Sequence, residues 1–405
     1  MSDQILLDKA LKKVDYSFRW IGINIESSRK TKLQNFRYKF VYIFNFIWLN
    51  MDFSGAIAWF IVNARKGASF TMLTYVAPCL TMCFLFNTKC IFIYMSDNHI
   101  NKLLSILRNL EIRHHDTSTP QKKEIIKTDS NFLFLVLKTL HFFNWFLLIA
   151  FPFMPLILMA LDYYNAKEVL LKLPFQVVYP FNAYDIKYWP IAYLRQIWGT
   201  VIVVIGISGV DYFFFICVTC MCVQFNLLQY DFTTLANDRR NSLQTSEELH
   251  GRIVALVKWH QELIQSVHLL EVIYSKSILI NFICSSLLIC LSGFNVMTID
   301  DKPYIISFGS FLFMSLFQIL SLCYFGDMLM RSSVKVSDAV YNSNWYITKS
   351  DICKELNIIQ MRAQKPCKLT AYSYADVNLT AFAKILSTSW SYFALLRTIY
   401  GSPRV

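Results

Sequence analysis

Several apolar runs of more than about 18 residues constrain this chain more than any other feature of its sequence. Hydrophobic residues make up 55% of the 405 residues and charged residues only 16%, whereas about a quarter of a soluble domain is charged. An α-helix of about 20 apolar residues crosses the hydrocarbon core of a bilayer, which is about 30 Å thick. The chain is therefore predicted to be an all-α membrane protein with several transmembrane helices.

The apolar runs predict seven transmembrane helices separated by polar or proline-containing connectors. The predicted spans cover about 40–62, 70–95, 132–161, 189–228, 267–294, 304–330 and 378–400. Residues 96–130 are polar and contain the loop signal Ser118-Thr119-Pro120, so they are interpreted as a connector. The predicted organisation is an N-terminal segment at 1–37, helices one to six at 38–330 with extensions at about 229–266, an anchor segment at 331–376, helix seven at 377–400 and a tail at 401–405.

The fourth and fifth predicted helices are too long to lie wholly within a bilayer. The fourth continues unbroken from 189 to about 228, which corresponds to about 60 Å. The fifth begins early, because Thr245–Glu248 has the pattern of a capping box and an apolar face continues from Ile253. We therefore expect extensions of helices four to six to form a water-exposed bundle, the anchor, on one side of the membrane.

A short amphipathic helix before the last span is expected to complete the anchor. It covers about 351–364, and Ile352, Leu356 and Ile359 share one of its faces. This helix is too short and too polar to span a bilayer. Its apolar face is expected to pack against neighbouring helices or subunits.

The distribution of basic residues predicts that the N-terminus is cytoplasmic. This orientation places the large majority of the 39 Lys and Arg residues on the cytoplasmic side. With seven spans the C-terminus is then extracellular, and the protein is expected in the plasma membrane. The net charge of +12 is accordingly attributed to membrane orientation and to contact with lipid rather than to nucleic-acid binding.

Few polar side chains are expected within the spans, and each has a structural explanation. Lys89 lies near the predicted inner end of helix two, where its ammonium group can reach the membrane interface. Asp211 lies deeper in helix four beside Tyr212, and a local hydrogen bond between them is favoured over a transport or proton-relay role. Most of the eleven cysteines lie in apolar runs, so neither disulfides nor a metal site nor any other cofactor is expected.

The last span carries a polar stripe that ends in two aliphatic residues. Lys384, Thr388, Ser391, Leu395 and Ile399 fall on one face of a helix. Such a stripe is what the lining of a pore with a hydrophobic gate would show. A helix packed in a bundle, with its hydroxyls bonded to carbonyl groups or to neighbouring helices, would show it too.

Several motifs resemble the insect odorant receptors, in order and over essentially the whole chain. Near helix six, Cys323–Asp327, Ser337–Tyr341 and Trp345-Tyr346 resemble the region that follows that helix in the family. The closing Ile385–Leu396 resembles the family's C-terminal signature, and the segments Leu173-Pro174-Phe175 and Tyr179-Pro180-Phe181 resemble its second outer loop. The chain departs from the family at Asp327, where Asn is common, and at Lys384, one turn before the hydroxyl stripe.

The resemblance implies a subunit of a tetrameric, odorant-gated, non-selective cation channel. The seventh helices would surround one pore, with Leu395 and Ile399 at its gate and Ser391 and Thr388 below them. The family's co-receptor carries a long insertion between helices four and five, whereas that connector is short here. The resemblance therefore implies an odorant-tuning subunit that assembles with co-receptor subunits.

The resemblance also implies a pocket for a small volatile among the outer halves of helices two, three, four and six. The candidate residues are mostly aromatic and aliphatic, as suits a ligand held by burial. They are Met72, Tyr75, Val76, Phe146, Ala150, Phe153, Met154, Trp198, Thr200, Ile202, Phe308 and Phe311.

The alternative function is a seven-helix metabotropic receptor or a transporter without its own pore. A G-protein-coupled receptor would have the opposite orientation, and the chain contains no Asn-Pro pair for the usual motif of helix seven. No inverted repeat supports a transporter. No nucleophile–base pair, phosphate-binding loop or metal-ligand spacing indicates an enzyme.

Overall fold

Long helices make up almost all of the structure, a computed structural model that describes residues 5–26, 31–115, 119–167, 171–235, 246–299, 302–347 and 350–400. The helices in these ranges are α1 (Leu6–Ile21), α2 (Lys32–Arg65), α3 (Phe70–Thr74), α4 (Ala77–Met95), α5 (Asp97–His115), α6 (Pro120–Ala166), α7 (Trp189–Thr234), α8 (Ser246–Thr298), α9 (Lys302–Tyr341), α10 (Ser350–Ala363) and α11 (Leu379–Tyr400). A 3-10 turn at Trp345–Ile347 precedes α10, and a short antiparallel pair, β1 (Thr370–Ala371) and β2 (Ala375–Asp376), precedes α11.

The helices form a seven-helix membrane fold. Six spans are long and apolar enough to cross a membrane by length and composition: α2, α3 with α4, α6, α7, α8 and α9. The seventh, α11, has 22 residues but is less apolar, because it carries Lys384, Arg397 and several hydroxyl side chains. The two halves of the second span meet near Pro78, which lies in the first turn of α4.

Several helices are longer than the predicted spans, and the helix α5 was not predicted. Residues 96–130 were expected to form a polar connector, but they contain α5 and the first turns of α6. This expectation was wrong because α5 is amphipathic: Leu103, Leu107 and Leu110 are buried while its other face is polar. The expected capping residue Thr245 and the tail at 401–405 lie outside the described residues.

The central element of the bundle is α7. Every residue from Gly209 to Phe225 is buried, because α1, α6, α8 and α9 all pack around this helix. The amphipathic α1 lies along it, with Val14 and Phe18 in the interface. The two helices approach closely at Gly209, since a Cβ atom there would lie 3.0 Å from the Cβ of Ser17.

The segments expected to form the anchor are the ends of α7, α8 and α9 together with α10, and α5 and the start of α6 pack beside α7 and α8. Lys122 at the start of α6 forms an ion pair with Asp231 near the end of α7, with 2.5 Å between nitrogen and oxygen. Gln229 of α7 donates a 2.8 Å hydrogen bond to the carbonyl oxygen of Ser332 in α9. Trp259 of α8 is buried under the ring of His114 from α5, with 3.6 Å between ring centroids.

The short helix α10 buries the face that the sequence indicates. Ile352, Leu356 and Ile359 are all buried within the chain itself, and α10 packs against α9. Ile358 and Met361 lie on another face and are exposed. The packing of this helix against a neighbouring helix is therefore confirmed.

Two charged side chains lie at the centre of the bundle, in an arrangement that differs from both expectations. Lys89 does not extend to the membrane interface, since it is 2% exposed and its Nζ lies 2.5 Å from Oδ1 of Asp211. The other oxygen of Asp211 accepts a 2.6 Å hydrogen bond from Gln318. Tyr212 points elsewhere and accepts a hydrogen bond from Asn144. The carboxylate of Asp211 supplies the opposite charge inside the bundle, so the ammonium group of Lys89 is compensated without extending to the membrane interface.

Candidate ligand-binding site

An apolar cavity of about 160 Å³ lies between α2, α4, α6, α7 and α9, beneath the connector that precedes α7. Aliphatic, aromatic and sulfur-containing side chains supply most of its wall. The wall includes Leu49, Phe53, Ala56, Val76, Cys79, Leu80, Cys83, Met154, Leu158, Val203, Phe308 and Phe311. A site of this kind binds a small molecule mainly by removing apolar surface from water.

Half of the predicted pocket residues line this cavity. Those on its wall are Tyr75, Val76, Met154, Thr200, Phe308 and Phe311. Those elsewhere are Met72, Phe146, Ala150, Phe153, Trp198 and Ile202. Successive residues of a helix point about 100° apart, so a set chosen only by depth along a span includes faces that turn away from the cavity.

On α6 the face toward the cavity differs from the predicted one. Phe146 and Phe153 project from the outer surface of this helix, each about half exposed. Met154, Pro155 and Leu158 line the cavity instead. The choice of face depends on the rotation of α6 about its axis, which the apolar run does not determine.

The remaining predicted residues have other environments. Met72 in α3 is exposed, and Ala150 in α6 is partly exposed. Trp198 packs against Trp20 of α1, with 5.5 Å between ring centroids. Ile202 is buried in the core of the bundle. None of these four positions contributes to the cavity wall.

The connector before α7 closes the cavity and is held by backbone hydrogen bonds. Phe175 donates from its backbone nitrogen to Oε1 of Gln196 at 2.9 Å, and Nε2 of Gln196 donates to the carbonyl oxygen of Phe175 at 3.1 Å. Val178 donates to the carbonyl oxygen of Gly55 at 3.2 Å. Gly55 must lack a side chain, because a Cβ atom there would lie 2.8 Å from the carbonyl oxygen of Val178.

Sequence reasoning missed this part of the wall. The motif Leu173-Pro174-Phe175 indicated an outer loop, but nothing in it indicated that all three side chains line the cavity. Gln196 was missed as well, although a lone amide in an apolar run is a recognisable signal for a buried hydrogen bond. In this structure that bond positions the connector.

A polar cluster lies at one edge of the cavity, where α2 and α7 meet the connector. Asp52 forms an ion pair with Arg195, with 2.6 Å between Oδ1 and Nε. The guanidinium group also lies over the ring of Trp48, 5.0 Å from its centroid. Gln196 donates a 3.1 Å hydrogen bond to the hydroxyl of Tyr179. Burial raises the pKa of Tyr179 to about 12, so its hydroxyl stays protonated and neutral at physiological pH.

The predicted pore residues of α11 share a face that is exposed on the single chain. Thr388, Ser391, Leu395 and Ile399 are all exposed, as is Lys384. The helix packs on α8 through a different face, where the hydroxyl groups of Ser389 and Ser286 form a 3.1 Å hydrogen bond. The chain alone thus leaves the polar stripe and its two aliphatic residues without cover.

The described residues offer no obvious metal or redox chemistry. They contain no group of three His, Cys, Asp or Glu side chains placed to hold a metal ion. The cysteines are all free, and Cys217 and Cys220 are buried in α7. Cys367, in the loop between α10 and β1, has its thiol pKa raised by burial, which disfavours a reactive thiolate.

Comparison with known proteins identifies the fold and the relatives of the chain. The family model described as 7tm Odorant receptor matches residues 69–390. Odorant receptor 67c of Drosophila melanogaster is 26% identical over 95% of this chain and 94% of its own length. Putative odorant receptor 92a of the same organism is 25% identical over 98% of this chain and 97% of its own length.

A solved structure shares the fold over nearly the whole length of both chains. The insect olfactory receptor OR5 from Machilis hrabei, in complex with eugenol, superposes with a TM-score of 0.80. The match covers 97% of this chain and 98% of that one, at 15% sequence identity. At this level of identity the superposition establishes the arrangement of helices only.

Proposed function

The chain belongs to the seven-transmembrane odorant receptor family of insects, and we propose that it is the odorant-binding subunit of a ligand-gated, non-selective cation channel. The observation that supports this most directly is the apolar cavity closed by the connector at 171–188. The exposed stripe of α11 supports the channel part of the proposal, because a face with Thr388 and Ser391 followed by Leu395 and Ile399 suits a wetted path that ends in a hydrophobic constriction.

The ligand proposed for the cavity is a small volatile molecule. The cavity of about 160 Å³ is large enough for only a few apolar groups. Each methylene group that leaves water contributes about 0.8 kcal/mol. A compact apolar ligand can therefore bind well without many hydrogen bonds.

The proposed assembly is a tetramer with co-receptor subunits of the same family, in the plasma membrane with the N-terminus inside. The stripe on α11 supports an assembly, because a face with a lysine and several hydroxyls is poorly suited to lipid. The segment between α7 and α8 covers only 235–245, which is short for the co-receptor and suits a tuning subunit. The excess of basic residues on one side supports the orientation.

A panel of volatile compounds, applied to cells that express this chain with and without a co-receptor, tests the proposal as an ionic current. Met154→Trp should abolish or strongly weaken the response to the active compounds, because Met154 lines the cavity and a larger ring would fill it. Phe153→Trp is the matched control, since Phe153 is the adjacent residue and faces away from the cavity.

The result separates the proposed channel from the alternatives. Currents that need the co-receptor and are lost only in Met154→Trp support the proposal. Responses that persist in Met154→Trp would remove the cavity from ligand binding. A second-messenger response without any current would favour a metabotropic receptor.

A further inference from the structure

A second, smaller cavity of about 50 Å³ lies deeper in the bundle than the apolar one. Met82, Val204 and Phe311 line both cavities, so these three side chains form the partition between them. The lower cavity is large enough for a polar group, because a single water molecule needs only about 10–15 Å³ by the same kind of measure. The two cavities are called the upper and the lower chamber below.

The lower chamber has a mostly apolar wall that also carries several polar side chains. Its polar residues come from α6, α7 and α9 and are Asn144, Ser208, Asp211, Tyr212, Ser315 and Gln318. Polar side chains are costly at this depth of a membrane protein unless they have partners. The hydrogen bonds of these side chains therefore show which polar atoms already have a partner and which can bind a molecule in the chamber.

The hydrogen bonds fix the orientation of the two amide side chains. Gln318 donates from Nε2 to a carboxylate oxygen of Asp211 at 2.6 Å, and a carboxylate only accepts, so the amide nitrogen must lie on that side. Asn144 donates from Nδ2 to Ser208 Oγ at 2.7 Å and to the Tyr212 hydroxyl at 2.9 Å. Ser208 uses its own proton on the carbonyl oxygen of Val204, so its oxygen must accept from Asn144.

The two amide oxygens are then the atoms left without a donor. Within the described residues no hydrogen bond reaches Oδ1 of Asn144 or Oε1 of Gln318. An amide oxygen in an apolar environment is stabilised by any donor that reaches it. The lower chamber therefore offers two acceptor atoms to a hydrogen-bond donor.

The geometry points to the lower chamber as a subsite for the hydroxyl group of an elongated alcohol whose apolar chain occupies the upper chamber. This inference rests on the proposed function, because it names the class of odorant. A hydroxyl donates one hydrogen bond, which either Asn144 or Gln318 can accept. The chain of the alcohol would have to pass the partition of Met82, Val204 and Phe311, and an unbranched alkyl chain is the narrowest that could do so.

The same chemistry excludes two related classes of ligand. Ethers and esters carry no donor, so they leave both amide oxygens unpaired. Amines are charged at neutral pH, and an ammonium group would leave water without a counter-charge of its own, because Asp211 is already paired with Lys89. The chamber is thus expected to favour ligands that carry a hydrogen-bond donor and no charge.

Direct binding to the purified full-length chain in lipid nanodiscs tests the inference independently of channel activity. The probes are the unbranched alcohols from butanol to octanol, each with the methyl ether, the primary amine and the alkane that have the same number of heavy atoms. Calorimetry should show at least one alcohol bound about tenfold more tightly than its ether and its amine.

Two substitutions identify the chamber, with a control on the same helix as Asp211. Gln318→Leu and Asn144→Leu should each reduce the preference for the alcohol over its ether severalfold, while binding of the alkane stays the same or improves. Asn144→Leu leaves the partners of Asp211 in place, so it tests the site even if Gln318→Leu does not fold. Gln224→Leu, a buried amide of α7 that lines neither chamber, should keep the preference.

The outcomes are distinguishable from those for the proposed function. Equal binding of every alcohol and its ether, or a preference that survives both substitutions, would overturn the subsite whatever the currents show. A preference that Asn144→Leu removes would establish the subsite even if no compound opened a channel.

Discussion

Lys89 and Asp211 place two charges where the bundle is closed to water, and each is held by a specific partner. Removing one member of such a pair typically costs about 3–5 kcal/mol, because the other charge is left buried and uncompensated. The contribution of a charged side chain to the stability of this bundle therefore depends on the partner that it contacts. At the proposed gate, likewise, the effect of a residue depends on whether its side chain faces the proposed pore.

At the proposed gate we expect Leu395→Ser to raise the resting current or the sensitivity to odorant. An aliphatic ring offers an ion no replacement for its hydration shell, so a hydroxyl there should ease conduction. Leu396→Ser is the matched control, because Leu396 lies about 100° round the helix and is partly buried. Current through the channel, expressed with its co-receptor, is the measurement.

Cysteine accessibility along α11 checks the same assignment without relying on gating. Water-soluble thiol reagents should modify cysteines at positions 391 and 395 from within the pore. Modification at 392 and 396 but not at 391 and 395 would contradict the proposed pore face.

At the scale of elements, two short amphipathic helices are bound to the bundle by one face each. The N-terminal α1 packs along α7 where Gly206 and Gly209 leave room, and α10 packs on α9. In both helices the buried residues recur at helical spacing, so the face follows from the sequence once the helix is recognised. The two helices differ in the residues on their exposed faces, which in α10 include Ile358 and Met361.

For α10 we expect Ile358→Ser combined with Met361→Ser to lower the yield of tetramer while each subunit still folds. Both side chains are exposed on the single chain, so their replacement costs the subunit little but removes apolar surface from a contact between subunits. Native gel electrophoresis of the assembled channel measures the yield.

Leu356→Ser provides the contrast for that experiment. Leu356 is buried within the chain, and loss of such a side chain costs about 2–5 kcal/mol. This variant should reduce the amount of folded subunit as well as tetramer. Unchanged assembly in the double variant would exclude the exposed face of α10 from the interface between subunits.

At the scale of the whole molecule, α7 and α8 are much longer than a bilayer is thick. At 46 and 53 residues they measure about 70 and 80 Å, against about 30 Å for the hydrocarbon core. One end of the molecule must therefore extend into water, and α5 and α10 lie with those helix ends. The proposed orientation places this end in the cytoplasm.

This orientation predicts that Asn378-Leu379-Thr380, the one N-glycosylation sequon of the chain, carries no glycan. The site lies at the start of α11, on the side proposed to face the cytoplasm, where the glycosylating enzymes do not act. Treatment with a glycosidase after expression in a glycosylating host should leave the mobility on a gel unchanged.

The control for the topology is Thr380→Ala rather than a change of the asparagine. Asn378 caps α11 by accepting a 2.9 Å hydrogen bond from the backbone nitrogen of Ala381, so replacing it would also disturb the helix. A mobility shift that Thr380→Ala abolishes would show that the orientation is the reverse.

The sequence by itself determined the number and approximate position of the spans, the buried face of α10 and the stripe of α11. These features are local: an apolar run of sufficient length must leave water, and a helical period assigns residues to faces. The predicted seven-helix fold is accordingly confirmed, and the motifs near its C-terminus sufficed to indicate the family. The helix α5 was missed because its apolar period is diluted by polar residues.

Only the tertiary structure decided which residues line the cavities. Tyr75 and Met154 lie on the wall while Phe146 and Phe153 do not, because the rotation of each helix about its axis is fixed by its neighbours. Lys89 and Asp211 are 122 positions apart in the chain, and no pattern in the sequence joins them. Their ion pair exists because α4 packs beside α7, which is a property of the assembled bundle.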